Sequence, residues 1–200
     1  MICHVIDDWL DKRFVYDLDH TINSNLNCFN FTNIANRQTW PYGSEGSHRL
    51  MGCAIFRREN LNRITILNKQ APVFFDIFER IENILNSRYL LNAISINIQH
   101  SGCNGTSHTD GMENQQTIMV MTNSEWDNKW GGQFQMLNND GSVIEEHDYV
   151  PGRLIIFPAL VAHEILPNEA PYDRYSIAFN LVPKGPLGSH AESLNLSYKT

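Results

Sequence analysis

The chain has 200 residues, a formal net charge of −7 and 42% hydrophobic residues. That apolar content can build a substantial core, and 18% charged residues are too few for a disordered protein. Proteins whose task is to grip phosphate backbones usually carry a basic stripe, whereas this chain has only short basic pairs such as Arg57-Arg58. Composition and charge therefore disfavour nucleic acid as the partner.

Membrane insertion and a disulfide framework are disfavoured as well. No apolar run approaches the ~20 residues that a membrane span needs. The N-terminal stretch MICHVIDDWLDKRF contains acidic residues and no apolar h-region, so we expect no signal peptide and a cytoplasmic protein. The cysteines are far apart and form no Cys-x-x-Cys pair, which predicts free thiols rather than a disulfide scaffold or a zinc site: Cys3, Cys28, Cys53 and Cys103.

The first ninety residues have the pattern of mixed structure. In VFFDIFERIENIL, apolar residues recur at helical spacing from Phe74 to Leu85, which predicts an amphipathic helix against the core. Residues 22–50 are rich in Asn, Ser and Gly and include WPYG, so they predict a long loop or a pair of short strands. Because loops longer than ~12–15 residues often cover a site, this segment with its His48 is a candidate cover.

From residue 92 the sequence changes to short β-type runs separated by turn signals such as Gly131-Gly132 and Pro151-Gly152. Short strands with this punctuation predict a sandwich or barrel. We therefore predict one domain over residues 1–200, mainly β with N-terminal helices (α+β). Residues 1–90 would form a helical and loop support, 91–184 a double-stranded β-helix (jelly roll), and 185–200 a tail. The predicted strands are AISINIQ, QTIMVMT, GGQFQML, RLIIF and YSIAFNLV.

Three residues in the β-rich region could hold a metal ion. His108 and Asp110 stand two apart in SHTDG, so in extended backbone their side chains project to the same side. His163 follows the strand RLIIF at a loop edge, and a rolled sheet can bring it to the other two. Two imidazoles and one carboxylate on one face of a metal leave three positions open, the pattern of non-haem Fe(II) oxygenases.

Arg174 and Ser176 open the strand YSIAFNLV, and Arg174 lies eleven residues beyond His163. A buried carboxylate is best matched by a guanidinium, which donates two parallel hydrogen bonds, and a serine hydroxyl on the same strand face can add another. A surface salt bridge is the alternative for Arg174 taken alone. The chain has no other His-x-Asp and no other Arg-x-Ser.

In their order and spacing these residues resemble the Fe(II)/2-oxoglutarate-dependent oxygenases, in particular the prolyl-hydroxylase-like branch with its small microbial and phage members. The resemblance implies Fe(II) bound by His108, Asp110 and His163, with 2-oxoglutarate and O₂ as co-substrates. The C5 carboxylate of 2-oxoglutarate would then bind Arg174 and Ser176. It further implies a dioxygenase that hydroxylates a substrate C–H bond and releases succinate and CO₂.

Two strand positions before the triad are weaker candidates. Several branches of the family contact the co-substrate through an Asn-x-Tyr at the spacing of Asn97 and Gln99, and here Gln replaces Tyr. Both residues could equally be polar residues of a half-buried strand. Thr117 and Met119 are candidates for the pocket wall on the next strand.

The segment EWDNKWGGQFQML is similar to the Trp…Gly-Gly-x-Phe segment of the prolyl-hydroxylase-like branch. Gly131-Gly132 predicts a tight turn beside the metal face. We expect Trp126 and Trp130 to serve in packing rather than in substrate binding.

The resemblance favours a prolyl or other peptidyl side chain of a peptide or protein as the substrate. A dealkylase of nucleic acids resembling AlkB, a hydroxylase of small molecules and a non-enzymatic cupin-like metal-binding protein are the alternatives. The acidic charge argues against the dealkylase, and the complete triad with Arg174 and Ser176 argues against the non-enzymatic protein. The sequence carries no signal for the oligomeric state.

Overall fold

The computed structural model describes residues 2–33, 50–60, 63–66, 72–86, 88–103 and 105–184. Within them, two helices and eleven strands are accompanied by two short 3₁₀ helices, Leu26–Cys28 and Asn128–Trp130. The helices are α1 (Lys12–Ser24) and α2 (Val73–Ile84). The strands are β1 (His4–Ile6), β2 (Thr32–Asn33), β3 (Leu50–Asn60), β4 (Arg63–Ile66), β5 (Tyr89–Gln99), β6 (Gln116–Met121), β7 (Phe134–Leu137), β8 (Val143–His147), β9 (Leu154–Pro158), β10 (Ala162–Ile165) and β11 (Arg174–Pro183).

The strands form two antiparallel sheets. The larger sheet has the order β1-β9-β6-β11-β5-β3-β2, with β4 paired to β3, and the smaller sheet has the order β10-β7-β8. Buried side chains from both sheets share one core, including Met119 and Ile155 of the larger sheet and Phe134 and Met136 of the smaller. The predicted mainly β architecture with a double-stranded β-helix is therefore confirmed.

Both helices cover the other face of the larger sheet. Asp11 caps α1 by accepting a hydrogen bond from the Phe14 amide at 2.9 Å. The apolar residues of α1 recur at helical spacing and are buried: Val15, Leu18 and Ile22. Helix α2 confirms the helix predicted for residues 74–85, and its Phe78 stacks on Phe179 of β11 with ring centroids 6.4 Å apart.

The five predicted strands are confirmed with adjusted ends. The run GGQFQML becomes a strand only from Phe134, because Gly131 and Gly132 have φ angles of +78° and +77°. Strands β8 and β10 were not predicted, since each is short and carries charged or histidine side chains. The expectation that His163 lies at a loop edge is wrong: it lies within β10 and pairs with Met136 of β7.

The N-terminal part contributes more to the sheet than a helical and loop support would. Strands β1 to β4 all join the larger sheet, and β3 alone spans eleven residues beside β5. The single-domain division stays a prediction. The expected cover at residues 22–50 falls mostly outside the described residues, as do His48 and the tail at 185–200. None of the helices described is long and apolar enough to cross a membrane.

Candidate active site

The structure brings the three predicted metal ligands together between the sheets. His108 lies just outside the named strands but forms an antiparallel bridge with His163, with N–H···O distances of 3.0 and 2.9 Å. The Asp110 carboxylate lies between the two rings, 3.5 Å from Nε2 of His108 and 3.6 Å from Nε2 of His163. All three ligand atoms lie within 4.8 Å of one another, close enough to bind a single ion.

Backbone carbonyls orient both imidazoles. Nδ1 of His108 lies 2.8 Å from the carbonyl oxygen of Thr106, and Nδ1 of His163 lies 3.0 Å from that of Val161. Each Nδ1–H therefore donates to the residue two positions earlier, which leaves the Nε2 lone pair for a metal. This shared local geometry explains why both rings present the same nitrogen to Asp110.

The charges of the triad suit a cation. Burial lowers the pKa of His163 to about 4, so its ring is neutral near pH 7, as a ligand must be. Burial also acts to lower the pKa of His108, but the hydrogen bond and charge of Asp110 outweigh it and raise that pKa. Burial would raise the pKa of Asp110, yet the charge of His163 and the hydrogen bond with His108 hold it well below its ordinary value.

A polar pair on the neighbouring strands supports the Asp110 carboxylate. Thr117, predicted as a wall residue, is buried and hydrogen bonds to Asp110. Its Oγ1 also accepts a hydrogen bond from Nδ2 of Asn180 at 3.2 Å. Because β6 and β11 are paired with Thr117 opposite Asn180, the two strands together set the position of the carboxylate. Met119, the second wall candidate, is buried in the core between the sheets.

Arg174 is the largest fully buried side chain of the described structure, with a relative exposure of 1%. Its guanidinium carbon lies 4.4 Å from the centre of the Tyr149 ring, a cation–π contact. Burial lowers the pKa of Arg174 to about 10, so the group remains charged at neutral pH. It makes no salt bridge within the described residues, and its Nε and Nη2 atoms have no hydrogen-bond partner there.

Ser176, two residues beyond Arg174, also has a buried polar atom without a hydrogen-bond partner in the described structure. The side chain is fully buried, and its Oγ has no partner within the described structure. Arg174 and Ser176 lie on one face of β11, opposite Gln99 and Asn97 of β5. Buried N–H groups of a cation and a buried hydroxyl that have no hydrogen-bond partner among the described residues are costly unless a ligand pairs with them. They fit a ligand that brings a carboxylate, and this agrees with the predicted binding of the C5 carboxylate of 2-oxoglutarate.

The Gly131-Gly132 turn is adjacent to this anion pocket rather than to the metal face. A Cβ added to Gly132 would lie 3.2 Å from Cδ of Arg174 and 3.2 Å from Cζ2 of Trp126, so glycine leaves the room that the arginine occupies. Trp126 packs on Tyr149, with ring centroids 4.5 Å apart, and Trp130 packs on Trp126 at 5.5 Å. The two tryptophans are thus engaged in packing, as expected.

The weaker candidates lie near the pocket but show no ligand contact of their own. The Gln99 amide donates to the carbonyl oxygens of Cys103 and Leu166 at 2.7 and 2.8 Å, which ties the end of β5 to the following loop and to the end of β10. Its Oε1 is buried without a partner in the described structure. Asn97 is half-buried opposite Ser176. Their contacts with a co-substrate stay predictions.

Two contributors to the site were missed by sequence reasoning, namely Tyr149 and Asn180. Tyr149 lies in a turn-rich stretch without a motif, and its hydroxyl bonds to the amides of Thr122 and Asn123 at 2.9 and 3.0 Å. Asn180 could have been suspected, because it is a polar residue on the same face of β11 as Arg174 and Ser176. No signal in the sequence would have found Tyr149.

Comparison with known proteins agrees with this site. Residues 94–182 match the family model of the 2OG-Fe(II) oxygenase superfamily. That segment contains the triad, the anion pocket, all of the smaller sheet and about half of the larger sheet. No curated protein matches the chain significantly.

Solved structures share the fold at low sequence identity. A prolyl-4-hydroxylase from Pseudomonas putida is 15% identical, with a TM-score of 0.62 over 92% of this chain and 94% of that chain. A prolyl hydroxylase from Trichoplax adhaerens, in complex with a hypoxia inducible factor peptide fragment, is 16% identical, with a TM-score of 0.69 over 91% and 84%. A non-haem α-ketoglutarate-dependent carbocyclase of nogalamycin biosynthesis is 10% identical, with a TM-score of 0.63 over 91% and 79%.

The family match, the fold and the converged triad confirm the resemblance that the motifs indicated. The matched segment, residues 94–182, is slightly less than half of the 200-residue chain, and it carries the triad and the anion pocket. These findings support a 2-oxoglutarate-dependent dioxygenase, and the cofactor and co-substrates of the matched family are Fe(II), 2-oxoglutarate and O₂.

Proposed function

We propose that the protein hydroxylates a C–H bond of a prolyl or other peptidyl side chain, with 2-oxoglutarate converted to succinate and CO₂. The observation that carries the proposal is a set of buried polar atoms of Arg174 and Ser176 that have no hydrogen-bond partner among the described residues, beside a His-Asp-His triad. This combination suits a carboxylate-bearing co-substrate that also reaches a metal. The structural likeness of the chain to prolyl hydroxylases supports a peptide as the substrate. A cytoplasmic location is part of the same proposal.

His108, Asp110 and His163 would hold the iron, and Arg174 with Ser176 would hold the far carboxylate of 2-oxoglutarate. Bound iron, with 2-oxoglutarate and O₂, supplies the oxidising power for C–H hydroxylation. The chain itself positions these groups. The Thr106 and Val161 carbonyls set the rings, and Thr117 sets the Asp110 carboxylate.

The protein also keeps water from the deep end of the pocket. Arg174 and Ser176 are each 1% exposed or less, and Tyr149, with Trp126 packed against it at a tilt of 49°, forms the wall behind the guanidinium. Charge-assisted hydrogen bonds are stronger in such a dry site than in water. One carboxylate of a dicarboxylate would therefore be bound firmly by Arg174 and Ser176.

An open cavity of about 510 Å³ adjoins the segments that carry Asp110 and His163. Glu113 is the single charged residue of its described lining, and no lysine or arginine contributes. Carboxamides donate and accept hydrogen bonds as the peptide backbone does, so this lining supports a peptide and disfavours a polyanion. Its polar part is dominated by amide side chains: Asn114, Gln115, Gln116, Asn138 and Asn139.

The test is a screen for succinate release by the Fe(II)-loaded enzyme with 2-oxoglutarate and O₂. Three substrate panels are tested separately: proline-containing peptides, alkylated oligonucleotides and free amino acids. We expect succinate in step with the gain of one oxygen atom by a peptide, and loss of both in His108→Ala. His20→Ala, which changes an exposed histidine of α1, is the matched control and should keep full activity.

The alternatives give different results in the same screen. Turnover with the oligonucleotides alone would identify a dealkylase, and turnover with free amino acids alone a small-molecule hydroxylase. Either result would refute peptide hydroxylation while leaving the co-substrate site intact. Addition of 2-oxoglutarate to the Fe(II) protein without O₂ tests that site separately, since a visible charge-transfer band should appear and its absence would refute the site.

A further inference from the structure

A second group of metal-binding side chains lies at the other edge of the smaller sheet. Cys3, Glu145 and His147 each offer one ligand atom, and these atoms all lie within 4.8 Å of one another. Nε2 of His147 is 3.3 Å from Oε2 of Glu145, and the backbone amides of Ile2 and Cys3 both donate to the Glu145 carboxylate. The three side chains converge although Cys3 and Glu145 are 142 residues apart in sequence.

Strand register places the second group on the same inner surface as the iron triad. Glu145 pairs with Met136 of β7, and Met136 pairs in turn with His163 of β10. Residues opposite one another on paired strands share a sheet face, so Glu145 lies on the same inner face as His163, with the buried Met136 between them. His147, two residues beyond Glu145, lies on that face too and pairs with Phe134.

Burial makes this group unlike a solvated cluster of surface residues. Cys3 is 3% exposed and belongs to the core between the sheets, while the side chains of Glu145 and His147 are 14% and 17% exposed. Polar side chains on the inner face of a sheet are costly unless they pair or bind a metal. Here the ligand atom of each side chain lies within 4.8 Å of the ligand atoms of the other two, so the three could bind one ion.

The donor set selects a particular class of cation. A thiolate, an imidazole and a carboxylate together suit Zn²⁺, which takes sulfur, nitrogen and oxygen ligands in tetrahedral geometry. With metal–ligand bonds of about 2.0–2.3 Å, neighbouring ligand atoms of a tetrahedral ion lie ~3.3–3.8 Å apart. The 3.3 Å between His147 and Glu145 falls in this range. The iron triad lacks sulfur, so the two sites differ in preference.

We propose that Cys3, Glu145 and His147 form a second metal site, which takes Zn²⁺ and ties the N-terminal segment to β8. Cys3 directly precedes β1, the end strand of the larger sheet, and β8 is the end strand of the smaller sheet. The ion would therefore join the two sheets along one side, opposite the edge where β10 carries His163. A site of this kind stabilises the fold and needs no part in turnover.

Cobalt(II) is the probe, because thiolate coordination gives a near-ultraviolet charge-transfer band that the sulfur-free iron triad cannot produce. Metal-free protein titrated with Co²⁺ without O₂ should show this band with the intensity of one thiolate-bound ion per chain, and Zn²⁺ should abolish it. Cys3→Ser should remove the band, and His147→Gln should weaken Co²⁺ binding by at least ~10-fold. Asp110→Ala should keep the band, because it alters the other site.

Controls separate this cysteine from the other thiols. Cys28→Ser, which changes an exposed cysteine, should leave the band unchanged. Absence of the band in the wild-type protein, or its survival in Cys3→Ser, would overturn the proposal. If Cys3→Ser does not fold, His147→Gln decides the question, because unaltered Co²⁺ affinity in that variant would also overturn it. Zn²⁺ should raise the melting temperature of Asp110→Ala, in which the triad is broken, but not of the double variant Asp110→Ala, Cys3→Ser.

Discussion

The two faces of the larger sheet are made by alternate residues of the same strands, yet one face packs the core and the other carries the site. On the face toward the helices, Ile177 and Phe179 of β11 join the core with Ile96 of β5. On the face toward the smaller sheet, Arg174 and Ser176 of the same strand carry polar atoms that are buried without partners in the described structure. The first face is packed by apolar contacts, whereas the second presents polar groups that suit a carboxylate ligand.

Because of this difference, we expect single substitutions to change either the stability of the fold or the affinity for the ligand, depending on the face. Substitutions on the helix-facing side should lower the free energy of unfolding and leave ligand affinity in the folded protein unchanged. Substitutions on the inner side should do the reverse, since unpartnered polar groups cost free energy until the ligand arrives.

The largest effect is expected from the triad. Asp110→Ala should lower turnover by more than ~100-fold, because even the loss of an outer partner of a metal ligand costs 10–100-fold. Its melting temperature without metal should also fall, because the carboxylate loses its interactions with His163, His108 and Thr117. Succinate release and thermal melts measure the two effects, and Asp17→Ala on the exposed side of α1 is the control. Retained turnover in Asp110→Ala would refute the triad.

Arg174→Met should weaken 2-oxoglutarate binding by ~100-fold or more, because the far carboxylate would be buried without a charged partner. The same change should not destabilise the ligand-free protein, since it removes a buried cation that has no anionic partner in the described structure. Ligand titration measures the loss of affinity for 2-oxoglutarate, and chemical unfolding measures whether the stability of the ligand-free protein is unchanged. A loss of stability as large as the loss of affinity would show that Arg174 is structural.

A pair of neighbouring residues on β11 tests the contrast between the faces directly. Ile177→Ala should cost about 2–5 kcal/mol of unfolding free energy, as buried large-to-small changes do, with the affinity for 2-oxoglutarate unchanged. Ser176→Ala should lower that affinity by ~3–10-fold, the value of one hydrogen bond, with stability unchanged or slightly raised. Equal effects of the two variants on stability would contradict the division of the sheet into two faces.

The smallest expected effect concerns the space around Arg174. Gly132→Ala and Gly141→Ala both place a Cβ at positive φ, +77° and +82°, which costs about 1–2 kcal/mol. Only the Cβ at position 132 would meet Arg174, since that at 141 has nothing within 4 Å. Affinity for 2-oxoglutarate should therefore fall in Gly132→Ala and stay unchanged in Gly141→Ala. An equal response of the two would mean that strain, and not crowding, accounts for the effect.

Local patterns in the sequence predicted a large part of the fold. The spacing from Phe74 to Leu85 predicted α2, and five apolar runs predicted strands, because periodicity reports which face of an element is buried. Strands β8 and β10 escaped prediction because site residues interrupt their apolar pattern. His163 was consequently expected in a loop, although it was predicted to be a metal ligand.

The site was predictable as far as its residues follow a motif. His108, Asp110, His163, Arg174 and Ser176 were recognised from their order and spacing, and the structure brings the first three together and buries the last two. Tyr149 and the cluster around Cys3 follow no motif. Their partners are distant in sequence, and contacts of that kind depend on how the two sheets pair and pack.

The sequence by itself determined the helix and strand pattern of much of the chain, the candidate ligands and the acidic surface, because each depends on residue type and short spacing. The tertiary structure alone decided that Arg174 is buried against Tyr149, that Gly132 makes room for it, and that Cys3 meets Glu145 and His147. The physical reason is register: a strand pairing shifted by one residue would move every inward side chain to the other face. Only the folded sheets show which alternate residues became core and which became site.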